Sequence, residues 1–100
     1  MTNLEISFTS DLMRSLQEAE AVTGVSEVRL KKAAEETGGA QAVRQMLDRG
    51  QTTRQFLPLK QKGRLELSVE ALVIRGKYAE LFSDEQVNSC LSSLLEAGMF

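Results

Sequence analysis

Apolar side chains recur at helical spacing along the first quarter of the chain. Between residues 10 and 23 they are Leu12, Leu16, Ala19 and Val22. Steps of three or four positions place these side chains on one face of an α-helix. The hydroxyl of Thr9 is suited to cap the first turn, and Gly24 is suited to end the last one. The pattern predicts a helix over residues 10–23.

The residues before this helix follow a different pattern. Leu4, Ile6 and Phe8 alternate with other side chains, and a period of two is typical of a strand with one buried face. We expect residues 1–8 to form a short edge strand or an extended arm that lies on the core.

The middle of the chain predicts two more helices and a connector. Ser26 is a candidate cap for a second helix that ends near Thr37, where two glycines break it. Apolar spacing then indicates a third helix over residues 40–47. Residues 51–55 are polar and predict a connector, and an irregular turn is expected around Pro58 because proline is tolerated only near the start of a helix.

The last third of the chain predicts two helices. Residues 64–69 alternate as in a strand, but a cap at Ser68 and the apolar spacing beyond it favour a helix over residues 69–75. Residues 78–82 indicate a compact aromatic turn. Ser83 and Gln86 form a capping box for the last helix. Its apolar stripe consists of Val87, Cys90, Leu91, Leu94 and Leu95.

These elements and the composition predict one all-α domain over residues 1–100. The chain is 42% hydrophobic and 26% charged, which is ordinary for a globular protein and argues against disorder. We expect a compact bundle of about five short helices, with more than half of the residues helical. Cys90 lies on the apolar stripe, so we expect it to be buried and inert.

The sequence favours a cytoplasmic protein. The single cysteine has no partner for an internal disulfide, which fits a reducing compartment. The first residues lack the basic and apolar regions of a signal peptide. No apolar run approaches the roughly 18 residues that a membrane-spanning helix needs, so no membrane association is expected.

The net charge of −2 conceals a basic middle segment. Residues 29–64 carry nine basic and three acidic residues, a net charge of +6, and each flanking segment has a net charge of −4. The basic residues either pack beside the acidic ends or form a positive face for nucleic acid or an acidic protein.

The residues available for catalysis are few. The chain has no histidine, so the commonest general base and metal ligand is missing and a catalytic triad is excluded. Asp84 and Glu85 lie in a helix first turn, where negative charge is stabilising, and Glu66 and Glu70 are expected on the solvent side of a capped turn. We therefore expect neither an enzyme nor a cofactor or metal site.

Residues 28–49 form a helix, a tight turn and a second helix, the outline of a helix-turn-helix reader of DNA. The second helix carries four side chains able to contact bases and phosphates, namely Gln41, Arg44, Gln45 and Arg49. A structural helical hairpin is the favoured interpretation, because two consecutive glycines loosen the turn. DNA regulation by these residues is the alternative hypothesis.

The favoured functional hypothesis is a protein-interaction or adaptor role through an apolar helical surface. Several apolar residues lie outside the predicted stripes, and exposed apolar patches usually mark interfaces. Those at the two ends of the chain are Ile6, Phe8, Met99 and Phe100. We expect them to support a homodimer, the commonest assembly of small proteins. The identity of any other partner is not indicated.

Two segments also carry a family resemblance. Residues 65–73 read L-E-L-S-V-E-A-L-V and residues 78–85 read Y-A-E-L-F-S-D-E, after a Gly38-Gly39 step before an apolar helix. This pattern resembles small uncharacterised bacterial proteins encoded by short open reading frames, often on mobile elements. The similarity covers about the last two thirds of the chain. It implies a bacterial, cytoplasmic origin and transfers no activity and no site residues.

Overall fold

The computed structural model describes residues 2–99, and within this range the chain is built from helices. The α-helices are α1 (Asn3–Thr23), α2 (Val28–Thr37), α3 (Gly39–Asp48), α4 (Phe56–Lys62), α5 (Val69–Val73) and α6 (Asp84–Glu96). Two 3₁₀ helices, Leu65–Leu67 and Gly76–Leu81, flank α5. More than half of the described residues are helical and none lies in a strand. The prediction of an all-α bundle is confirmed, although it has one α-helix more than expected.

The prediction of a strand or arm over residues 1–8 was wrong, because α1 begins at Asn3. The hydroxyl of Thr2 accepts a hydrogen bond from the backbone N–H of Glu5 at 3.1 Å, and the Glu5 carboxylate accepts one from the N–H of Thr2 at 3.2 Å. This capping box fixes the first turn. Thr9, the predicted cap, lies inside the helix, where its hydroxyl donates to the carbonyl of Glu5 at 3.0 Å.

The region around Pro58 is a helix and not an irregular turn. Pro58 is the third residue of α4, where its missing N–H removes no intrahelical hydrogen bond. Residues 65–67, for which a strand was the alternative, form a 3₁₀ helix. The favoured helix beyond them is confirmed, since the hydroxyl of Ser68 caps α5 by accepting from the N–H of Ala71 at 3.1 Å.

The ends of α2 and α3 agree with the sequence, but the start of α2 does not. α2 stops at Thr37 because Gly38 adopts φ 91°, a conformation that favours glycine. At the other end, Glu27 and not Ser26 precedes the helix, and it makes no side-chain cap hydrogen bond. The Glu27 side chain is directed elsewhere, as described below.

The hydrophobic core is centred on α1. Phe8, Leu12 and Leu16 are fully buried and belong to a cluster that also includes side chains of α2, α3, α5 and α6. The Phe8 ring meets the ring of Tyr78 edge to face at a centroid distance of 5.0 Å, and that of Phe82 at 5.2 Å. The aromatic turn therefore closes over α1, and Tyr78 also hydrogen-bonds to Asp11 through its hydroxyl.

The capping box and the buried side of α6 agree with the prediction. Ser83 and Gln86 exchange hydrogen bonds with each other's backbone N–H at 3.1 and 2.9 Å. Cys90 is buried, as expected. Burial, and next the charge of Glu70, raise the pKa of the Cys90 thiol to about 12. The stripe is wider than the core, since Leu91 and Leu95 remain exposed.

The double glycine tightens the packing between α1 and α3. A Cβ atom at Gly39 would lie 2.9 Å from both the Cα and the Oγ1 atoms of Thr9. The N–H of Gly39 also donates to Oγ1 of Thr9 at 2.9 Å. The two helices approach closely only because residue 39 has no side chain. The expectation that the glycines loosen this turn was wrong.

Replacing Gly39 by alanine is expected to lower the free energy of unfolding by about 1–3 kcal/mol, because the added methyl group overpacks the contact with the α1 backbone. Urea denaturation followed by circular dichroism measures the change. Gly76→Ala is the matched control, since a Cβ there meets nothing within 4 Å and the φ of Gly76 is not positive. Equal losses in the two variants would contradict the packing argument.

Candidate functional site

Three arginines of the basic segment meet at one groove, which we call the arginine groove. Arg29 lies on α2, Arg49 follows the end of α3 and Arg54 lies in the connector between α3 and α4. The groove is open to solvent and has a volume of about 650 Å³. Guanidinium groups remain charged at any physiological pH and present donors that match carboxylates and phosphates. The groove is therefore suited to an anionic ligand.

A part of the lining of the arginine groove is apolar, and we call this part the groove floor. Leu30 and Ala33 from α2 face Ala42 and Met46 from α3. Leu30 and Ala42 are buried, whereas Ala33 and Met46 are half-buried and keep part of their surface open. Methionine adapts its shape to an irregular partner. The groove thus combines apolar surface with positive charge.

The three groove arginines have no close partner within the described part of the chain. Among residues 2–99, their guanidinium groups make no ion pair or hydrogen bond. Other basic residues of the segment do pack beside the acidic ends. Lys31 pairs with Glu20 at 3.8 Å, and Arg64 pairs with Glu66 at 2.8 Å. Packing beside the acidic ends therefore accounts for a part of the basic segment.

The connector that carries Arg54 is held in place by hydrogen bonds to a buried carboxylate. Glu70 of α5, only 1% exposed, accepts hydrogen bonds from the backbone N–H of Thr53 at 2.8 Å and from its hydroxyl at 3.0 Å. Glu70 was expected on the solvent side, which was wrong. All five residues of α5 are buried. This helix therefore has no solvent-exposed side on which Glu70 could lie.

A second buried carboxylate holds the next residues of the connector. Glu27 accepts a hydrogen bond from the N–H of Gln55 at 3.1 Å, and the nearby backbone N–H of Arg54 acts to lower the pKa of its carboxyl group. The Gln55 amide, also buried, donates to the carbonyls of Leu16 at 3.2 Å and Val25 at 2.7 Å. The connector around Arg54 is therefore held by hydrogen bonds to α1, to the loop between α1 and α2, and to α5.

Burial changes the acidity of both carboxyl groups. Desolvation raises the pKa of Glu70 above its ordinary value, and the charge of Glu27 adds to the increase. The hydrogen bonds from Thr53 act in the opposite direction, but their effect is smaller. Desolvation likewise raises the pKa of Glu27. The N–H groups of Arg54 and Gln55 and the charge of Arg54 lower it by a smaller amount. No buried side-chain nitrogen or oxygen in the described part of the chain lacks a hydrogen-bond partner, so both carboxylates serve as acceptors for the connector.

Only two of the four residues proposed to contact DNA lie at the arginine groove. Gln45 and Arg49 line the arginine groove, but Arg44 does not. The Nε of Arg44 donates to the carbonyl of Leu81 at 2.6 Å, and its guanidinium lies 5.9 Å from the ring centroid of Phe82. Gln41 is exposed outside the groove and accepts from Arg44 at 3.3 Å. Arg29 and Arg54, which the sequence analysis did not single out, complete the groove.

The four apolar residues assigned to a dimer interface also differ in their surroundings. Ile6 is 53% exposed, but Phe8 is fully buried in the core. Phe8 is therefore unavailable as interface surface, which corrects the prediction. Met99 is half-buried and packs against a second core cluster formed by α1, α4, α5 and α6. Phe100 lies outside the described residues. Ile6, Phe8 and Met99 therefore do not form one exposed surface.

Among residues 2–99, no three acidic, cysteine or histidine side chains converge to hold a metal ion. No helix in that range has the length and apolar character required to cross a bilayer. Comparisons of the chain with models of protein families, with curated proteins and with solved structures found no match.

Proposed function

We propose that this chain is a cytoplasmic, non-catalytic protein-binding protein, an adaptor that holds an acidic, amphipathic segment of a partner protein in the arginine groove. The observation that carries the proposal is that Arg29, Arg49 and Arg54 stand over an apolar floor without partners of their own among residues 2–99. Carboxylates of the partner pair with the guanidinium groups, and apolar side chains pack on Leu30, Ala33 and Met46.

DNA binding through the helix-turn-helix outline is the second candidate, supported by Gln45 and Arg49 at the groove. Such readers contact bases with the first residues of the second helix. In this chain that end of α3 is buried through Gly39, Ala40, Ala42 and Val43, and Arg44 is held by Leu81. A concave groove with an apolar floor is also a poor fit to the convex, uniformly charged surface of a duplex. Both arguments favour a protein partner.

Fluorescence anisotropy with labelled probes tests the proposal. We expect a synthetic peptide of leucine and glutamate at helical spacing to bind the protein, and its counterpart with glutamine in place of glutamate to bind at least about tenfold more weakly, since charge-assisted hydrogen bonds contribute about 1.5–3 kcal/mol each. Arg49→Gln with Arg54→Gln is expected to weaken binding of the acidic peptide by a similar factor.

The matched control is Lys60→Gln with Lys62→Gln, which removes the same charge from exposed residues of α4 outside the groove. Binding to a duplex DNA probe, with an affinity that falls steeply as salt rises, would transfer the assignment to the nucleic-acid candidate. Failure of both the peptide and the DNA to bind would refute the groove as a binding site.

A further inference from the structure

The outer face of α6 has the opposite character to the arginine groove. Asp84, Asn88, Leu91 and Leu95 follow one another at helical spacing and are all exposed, with Leu91 at 36% and Leu95 at 53%. These positions lie on one stripe of the helix because they are separated by three or four residues. We call this stripe, together with its flanking carboxylates, the acidic face of α6.

Negative charge flanks the two leucines. Glu85 and Glu96 are exposed beside the stripe, and no lysine or arginine occurs in α6. The acidic face of α6 therefore combines leucine side chains with carboxylates, the chemistry that the arginine groove accepts. Among the described residues, Glu27 is the only acidic side chain that lines the groove, and its carboxylate already accepts a hydrogen bond from the connector.

The end of α3 and the first turn of α6 adjoin in the fold. Nε2 of Gln86, in the first turn of α6, donates to Oδ1 of Asp48 at 2.9 Å. Asp48 is the last residue of α3, and the next residue, Arg49, lines the arginine groove. Gln86 lies about half a turn around the helix from the leucine stripe, so the two patches are complementary through their opposite charge and their apolar parts rather than through this contact. A twofold axis between two copies sets each patch against its counterpart and closes the assembly.

We propose that the arginine groove is filled by the acidic face of α6 from a second copy of this chain, reciprocally in a twofold dimer. The inference rests on the proposed function, since it names the occupant of the same groove. It replaces the chain termini as the basis for a homodimer, because Phe8 belongs to the core. Carboxylates of α6 pair with Arg49 and Arg54 across the interface, and Leu91 and Leu95 meet the groove floor.

A charge exchange between the two surfaces tests the dimer by sedimentation velocity across a range of concentrations. The groove variant is Arg49→Glu with Arg54→Glu, and the helix variant is Glu85→Arg with Glu96→Arg. The wild-type chain is expected to dimerise. Each variant alone is expected to dissociate with a dimer dissociation constant at least about tenfold higher, because like charges then face each other. An equimolar mixture is expected to dimerise again, since both contacts of the mixed dimer are complementary.

The matched control is Glu18→Arg with Glu80→Arg, which changes the net charge by the same amount at exposed positions outside both surfaces and is expected to leave dimerisation unchanged. Circular dichroism confirms that each variant is folded. A wild-type chain that stays monomeric, single variants that still dimerise, or a mixture that does not recover would each overturn the inference. A monomer that still binds the leucine–glutamate peptide would overturn only the dimer, whereas loss of both would also refute the proposed function.

Discussion

Replacing Phe8 by alanine is expected to lower the free energy of unfolding by about 3–5 kcal/mol, the range for a phenylalanine removed from a core. Phe8 is fully buried, and its ring contacts those of Tyr78 and Phe82 edge to face. Alanine removes both aromatic contacts and leaves a cavity between α1 and the residues that follow α5. Such a loss is a large part of the roughly 5–15 kcal/mol that stabilises a typical domain.

Chemical denaturation of the wild type and the variant measures this difference. Ile6→Ala is the matched control because Ile6 lies in the same helix and is 53% exposed, and its free energy of unfolding is expected to stay within about 0.5 kcal/mol of the wild type. If Phe8→Ala does not fold, Phe8→Leu is expected to fold with a smaller loss, since it keeps most of the buried volume. A Phe8 variant as stable as the Ile6 control would contradict the core assignment.

The N-terminal residues illustrate how far the sequence predicts the fold. Leu4, Ile6 and Phe8 satisfy a strand period, but Leu4 and Phe8 are also four residues apart, so periodicity alone is ambiguous over so short a stretch. The local signal that decides is Thr2 followed by Glu5, the spacing of a capping box, which is readable in the sequence. The same signal at Ser83 and Gln86 predicted the start of α6 correctly.

The candidate site was only partly predictable. The charge distribution indicated a basic surface, and Gln45 and Arg49 were singled out on α3. Arg54 could not be placed beside them, because its position depends on a connector held by Glu27 and Glu70 from distant parts of the chain. Tertiary hydrogen bonds of this kind leave no periodic signal. A glutamate within the apolar run Val69–Val73 was the only local indication.

The second large effect on stability is expected from substitutions of Glu70. Replacing it by alanine is expected to lower the free energy of unfolding by about 2–4 kcal/mol, because the buried N–H of Thr53 loses its acceptor and a cavity forms. Glu70→Gln is the matched variant, since the amide keeps an acceptor oxygen for that N–H and removes the buried charge. At pH 7 it is expected to be at least as stable as the wild type, because an ionised carboxylate is costly to bury. A large loss in Glu70→Gln would contradict this.

The difference in stability between the wild type and Glu70→Gln is also expected to depend on pH. Because burial raises the pKa of Glu70 in the folded state, the folded protein takes up a proton at a higher pH than the unfolded chain does. The resulting contribution to the free energy of unfolding is fully present below the unfolded pKa, near 4.5, and is lost as the pH rises through the folded pKa.

The wild type should therefore gain stability relative to Glu70→Gln as the pH falls from 7 toward 4.5, by at most about 1.4 kcal/mol per pH unit for one group. Carboxyl groups that do not act on Glu70, such as Glu5, titrate alike in both proteins and cancel in the difference, whereas Glu27, whose charge acts on Glu70, contributes to it. Urea denaturation at several pH values measures it, and a constant or decreasing difference would mean that the pKa of Glu70 is not raised.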